Sequence, residues 1–231
     1  MLKRLASAAL LVLGVLAGAG LAQSGGSGSL PLAELVARVQ ARFDRTPHLH
    51  ARFQQETRLQ GFEQVQRGEG QVWILQPGMM RWDYTTPERQ TIIANGETLW
   101  LYSPEDRQVI RERVTESLRA RTPALFLAGG ARLTDLFAVT GPSVQPSGED
   151  GLLRLELRPK EERFQVSRVQ LGVDPQAYLV RQVTLIDPLG NVTTMSFADI
   201  DTEGAVDPSL FQFEVPAGVE VVAPPLMPGP R

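Results

Sequence analysis

Cysteine is absent from all 231 residues, which excludes disulfide staples, thiol nucleophiles and Cys-ligated metal centres. It also excludes lipid attachment at a cysteine behind an export signal, so the product expected is soluble and carries no anchor of its own. Lysine is confined to Lys3 and Lys160, and the formal net charge is −3. A chain with so little concentrated basic surface is not built to follow phosphates, so nucleic acid is not an expected partner. Histidine is limited to His48 and His50. They lie two apart on one strand face with no third ligand in sight, so exposed strand histidines are expected and no metal. No G-x-S-x-G elbow occurs, and Asp199 and Asp201 in "ADIDTEG" read as a solvated turn rather than paired catalytic carboxylates. Neither enzymatic activity nor a cofactor is expected.

What is present begins with "MLKRLASAALLVLGVLAGAGLAQ". A basic start, a short apolar run and a small-residue ending describe an export signal cleaved near Ala22, and the run is short for a membrane span of roughly 20 residues. The expected organisation is a signal at 1–22, a flexible "GGSGS" lead-in within 23–29, one domain over 30–222, and a proline-rich disordered tail at 223–231. In the domain, Leu32, Leu35, Val36, Val39 and Phe43 repeat at helical spacing, giving one amphipathic helix that ends near Arg45, with Ser29 as its cap. After Pro47 the period drops to two. Leu49, Ala51, Phe53, Gln55, Thr57 and Leu59 face one way and His50, Arg52, Gln54, Glu56 and Arg58 the other.

Further strands follow at about Val65–Leu75, Met79–Tyr84, Gln90–Ala94, Thr98–Tyr102 and Gln108–Arg113. Turn signals at Pro77-Gly78, Pro87, Asn95-Gly96 and Pro104-Glu105-Asp106 separate them. A broken helical stretch runs from Ser117 to about Phe137. Strands resume at about Leu152–Arg158, Val166–Val173, Tyr178–Ile186 and Val192–Ala198, with a last one near Phe211–Val215. The fold class is mainly β: about eleven antiparallel strands that must curl, because a sheet of that size does not stay flat. Its concave face has only the first helix and the broken helical stretch to cover it.

Aromatic residues make up only 6% of the chain, yet "GEGQVWILQPGMMRWDY" holds Trp73, Trp82 and Tyr84 around one turn. Apolar side chains there point both ways, as they do in strands covered on both faces. Met79 and Met80 add side chains that repack around irregular apolar surfaces.

The stretches "ARFQQET", "GEGQVWILQPGMMRWDYTTPERQTIIANGETLWLYSPE", "RTPALFLA" and "VDPSLFQFEVPAGVEVV" resemble the LolA family of periplasmic outer-membrane lipoprotein carriers, over about Leu32 to Val222. The resemblance implies an unclosed antiparallel β-barrel with short helices as a lid over an apolar cavity. It implies acylated lipoproteins as cargo, an inner-membrane ABC transporter of the LolCDE type as donor, an outer-membrane acceptor similar to LolB where one exists, a periplasmic location and a monomer. It implies that Phe53, Trp73, Met80, Trp82 and Trp100 meet lipid from the wall, and Leu125, Phe126 and Leu127 from the lid. Many members carry arginine just before the proline of the Trp-x-x-x-Pro stretch, where it holds the lid closed. Here that position is Gln76, an amide without the guanidinium's charge and fork of donors, and Arg81 across the turn is a second candidate for the latch. Two alternatives stand beside the carrier: the same fold with a glycolipid or phospholipid as cargo, and a lipid sensor similar to RseB, which predicts a further C-terminal domain.

Overall fold

The computed structural model describes residues 30–115, 132–140, 150–161 and 166–222. The expected signal, lead-in, "TPALFLA" segment and tail lie outside the described residues, and with them Leu125, Phe126, Leu127 and the proposed cap Ser29.

Helix α1 (Leu32–Asp44) begins after Pro31, whose side chain offers no capping oxygen, and it buries Leu35, Val36 and Val39. The sheet then runs through β1 (His48–Arg58), β2 (Val65–Leu75), β3 (Met79–Thr86), β4 (Gln90–Asn95), β5 (Thr98–Ser103) and β6 (Gln108–Arg113). A single helical turn, α2 (Leu133–Leu136), leads into β7 (Phe137–Thr140). The sheet continues as β8 (Leu153–Pro159), β9 (Arg168–Val173), β10 (Val180–Ile186) and β11 (Val192–Asp201). A 3-10 turn at Pro208–Phe211 precedes β12 (Glu220–Val222).

The twelve strands among the described residues form one sheet in the order β12-β6-β5-β4-β3-β2-β1-β11-β10-β9-β8-β7. Since β12 and β7 are the two ends, the barrel is unclosed. The turns arise where the sequence places them: Gly78 and Gly96 take positive φ of 77° and 94°, and the Asn95 side chain accepts from the amides of Glu97 and Thr98.

Two strands differ from expectation. Phe137 does not end a helix but opens β7, which pairs with β8 from Phe137 opposite Pro159 to Thr140 opposite Glu156. Residues 211–215 do not form the last ladder. The Asp207 side chain accepts from the Ser209 amide at 2.8 Å and winds Pro208–Phe211 into a 3-10 turn. The chain then lies across the sheet, with Phe213 centred 5.4 Å from Tyr102 and 6.1 Å from Trp100. The alternation of Phe211 and Phe213 therefore reflects packing onto a sheet and not membership of one. Pairing is restored at β12, which runs parallel to β6.

Register decides which apolar side chains share a face. Leu49, Ile74, Met80, Ala94 and Leu99 form one cross-strand row, and Ala51, Val72, Trp82, Ile92 and Leu101 the next. Both belong to the concave face. On the other half of the sheet that face continues through Leu155, Leu157, Leu171 and Val183, against which Leu35, Val36 and Val39 of α1 and Leu133 of α2 pack. A third cluster of Ile93, Trp100 and Val109 lies on the convex face beneath Phe213 and Val219.

Candidate functional site: an apolar cup beneath the first helix

Phe53 and Trp82 are fully buried at the centre of the concave face. Their rings meet edge to face at 4.9 Å, and Tyr84 meets Phe53 at 4.8 Å. Room for these rings exists because β2 has Gly70 opposite Phe53 and Tyr84. A Cβ at that position would stand 2.0 Å from the Asp83 carbonyl oxygen. The Tyr84 hydroxyl donates to Gln55 Oε1 at 2.9 Å, and burial pushes its pKa up to about 12. Met80 is fully buried beside this group.

Between this cluster and the one under α1 lies a cavity of about 90 Å³, lined chiefly by apolar side chains: Val39 and Phe43 of α1, Leu49 and Ile74 of the sheet, Leu133, Leu171, Val180 and Phe197. A cavity of about 150 Å³ is enough for one benzene ring, so this one is too small for an acyl chain as it stands. It lies where α1 meets the sheet. A second hollow of about 340 Å³ has a mixed lining: Arg52, Gln54, Glu69, Gln71, Thr85 and Ser196 together with Phe53, Phe197 and Ala198. Its charged and polar side chains set it apart from the chiefly apolar cavity beneath α1.

Helix α1 is held over the cavity by polar contacts around its edge. Gln76 Nε2 donates to the carbonyls of Phe43 at 3.3 Å and Thr46 at 3.0 Å, which cap the helix's C-terminal end. Arg42 Nη2 donates to Thr202 Oγ1 at 3.0 Å, and Gln40 Oε1 accepts from the Leu133 amide at 3.0 Å. Arg38, paired with Glu34, donates to the Tyr178 hydroxyl and sits 4.9 Å from that ring's centre. The turn presenting Tyr178 is wound about Asp174, whose carboxylate accepts from the amides of Gln176 and Ala177. Those contacts, led by the Ala177 amide, hold the Asp174 carboxyl below the usual carboxylate range. The contacts of Arg38 with Tyr178, Arg42 with Thr202 and Gln40 with Leu133 were not legible in the sequence, since each joins residues far apart in the chain.

The residues singled out from sequence divide. Phe53, Met80 and Trp82 come together on the concave face. Trp73 is on the opposite face, stacked on His50 with centroids 4.8 Å apart and planes 6° from parallel. Trp100 is also on that face, packed beneath the C-terminal segment. Gln76 does reach helix carbonyls. Arg81 does not: it is bidentate to Asp83 at 2.9 and 3.1 Å, and its Nη1 donates to the Leu210 carbonyl at 3.2 Å. It fastens the 3-10 turn to the convex face and does not touch α1. Sequence reasoning missed Phe197 and Tyr178, which border the cavity. The period-two run through Phe197 was a signal for the first; nothing local marked the second.

Asp199 pairs with Arg52, and Asp201 accepts from the amides of Glu203 and Gly204; the "ADID" half of "ADIDTEG" is the end of β11 and not a turn, and the chain bends only after Asp201. Among the described residues no cluster of three or more His, Asp or Glu side chains could hold a metal, and no helix is long and apolar enough to cross a membrane.

A curled, open sheet whose greasy face is half covered by a helix is the form of a binding protein for apolar molecules. Residues 44–214 match the sequence profile described as "Outer membrane lipoprotein carrier protein LolA", and the chain belongs to the LolA family. It is 33% identical over 184 residues to the outer-membrane lipoprotein carrier protein of Methylococcus capsulatus, covering 80% of this chain and 85% of that one. It is 35% identical over 191 residues to the protein of the same name from Methylobacillus flagellatus, covering 82% and 89%. Among solved structures, an uncharacterized conserved protein from Thermus thermophilus shares the fold at a TM-score of 0.51 with 13% identity, covering 83% of this chain and 98% of that one.

Proposed function

We propose that this protein is a periplasmic carrier that shelters the acyl chains of lipoproteins between α1 and the concave face of the sheet, and moves them from the inner to the outer membrane. It acts as a monomer and catalyses no reaction. An ABC transporter of the LolCDE type loads it, and an acceptor similar to LolB unloads it. The observation that carries this reading is the small apolar cavity where α1 meets the cup, with the helix pinned above it by side chains rather than by the sheet's own ladder.

Energetics favour such a device. Exposing an acyl chain costs roughly 0.8 kcal/mol per methylene, so a chain of about 15 methylenes faces a barrier on the order of 12 kcal/mol in water. Lifting α1 into water would itself cost about 5–9 kcal/mol for Leu35, Val36 and Val39, at about 1.5–3 kcal/mol each. Lifting it onto a lipid exchanges one apolar contact for another, so cargo and helix compete for the same surface with a small net difference. A carrier needs that balance, because it must release what it binds. Gln76 is the latch at the helix's C-terminal end, and Leu125, Phe126 and Leu127 supply further lid contacts.

The test is mass spectrometry of the apolar material that copurifies with the protein from its native periplasm. Acylated lipoproteins are expected. Free glycolipid or phospholipid alone would replace this reading with that of a carrier for another lipid.

A further inference from the structure

Among the described residues three side-chain atoms are buried without a hydrogen-bond partner: Arg42 Nε, His48 Nε2 and Trp82 Nε1. Arg42 has another nitrogen engaged with Thr202. Trp82 has only one polar atom, its residue is 2% exposed, and its surroundings on the concave face are hydrocarbon. Val72 and Ile92 are its cross-strand partners; Phe53 meets it edge to face and Phe197 lies 6.1 Å away. Leaving such a donor unsatisfied costs about 1–3 kcal/mol, and a ring face is a second-order acceptor. A phenyl ring would fill much of the same space without that penalty.

Water is a poor partner at this position. A buried water needs two to four polar contacts, and Phe53, Val72, Ile92 and Phe197 supply none. The acceptor that suits this indole is therefore one brought in on an apolar molecule. Phe197, half-buried, borders the cavity and also stands beside Trp82. A chain that enlarges the cavity by displacing Phe197 arrives at the indole.

We propose that the Trp82 indole N–H is the polar anchor of the cup, donating a hydrogen bond to the carbonyl oxygen that joins an acyl chain, as ester or amide, to its head group. This rests on the carrier reading and sharpens it, because the anchor sets how deep the chains enter and selects acyl chains over plain alkyl chains. Hydrocarbon contacts alone do not distinguish the two.

The test compares a synthetic peptide bearing a dipalmitoylglyceryl-cysteine with the same peptide bearing the dihexadecyl ether, each competed against one fluorescent lipid. The wild-type protein is expected to bind the ester about fivefold more tightly, the equivalent of about 1 kcal/mol for a neutral hydrogen bond. Trp82→Phe is expected to bind both equally. In nitrogen-15 spectra the Trp82 indole resonance should shift with the ester and not with the ether, a readout that stands even if the variant folds poorly. Equal wild-type affinities with an unmoved indole resonance would overturn the anchor while leaving the carrier intact. If neither peptide binds, both fall together.

Discussion

Gly70 shows how much of the cup depends on one missing side chain. With the Asp83 carbonyl 2.0 Å from where a Cβ would be and a Phe53 ring carbon 3.0 Å from it, Gly70→Ala must push β3 or the Phe53–Tyr84 pair aside. Overpacking of this kind costs about 1–3 kcal/mol. At about 2–4 °C per kcal/mol for a domain of this size, the upper end lowers the thermal midpoint by roughly 6–12 °C, measurable by calorimetry. Tyr84 gives a second prediction at this scale. Its folded pKa is raised from 10.0 to about 12 by burial, so the native state holds the phenolic proton after the unfolded chain has lost it. The contribution is complete below pH 10 and is lost as the pH rises toward 12, amounting to roughly 2–3 kcal/mol. Denaturant titrations should show that this alkaline decline is shallower in Tyr84→Phe; equal slopes would contradict the assignment.

At the scale of elements, α1 and the C-terminal segment are two covers on opposite faces, each fastened by its own side chain. Gln76→Ala removes both donors to the Phe43 and Thr46 carbonyls. At about 0.5–1.5 kcal/mol per bond, or about 1–3 kcal/mol for the two, amides in the C-terminal half of α1 should exchange roughly 5- to 150-fold faster, with the ladder between β1 and β2 unchanged. Arg81→Ala should do the converse, speeding exchange across 208–222 and leaving α1 protected. Having covers on both faces also explains what the sequence did and did not reveal. Period-two alternation separated Val72 from Trp73 within β2, but it does not say which side is concave. With apolar residues on both sides, Trp73 and Trp100 read as cup wall as readily as Trp82 did. The strands and most turns were legible because their signals are local, while Phe211–Val215 carried a strand's alternation for a different reason. The pins on α1 were illegible because Arg38–Tyr178 and Arg42–Thr202 each span well over a hundred residues.

For the whole molecule, the unclosed sheet is what makes the cup adjustable. A closed barrel of small girth fills its interior with side chains; here β12 and β7 end the sheet without meeting, and α1 seals the interior as a separate piece. The closed form leaves only about 90 Å³ beneath the helix, so the account requires α1 to lift before cargo enters. Because the chain has no cysteine, Arg38→Cys with Tyr178→Cys creates a single reactive pair, which a short bifunctional thiol reagent can bridge across the edge of the cavity. Uptake of the dipalmitoylglyceryl peptide should be lost in the bridged protein and intact in the same variant before bridging, with the fold unchanged by circular dichroism. Equal uptake with α1 tethered would contradict the claim that the cup loads by raising its helix.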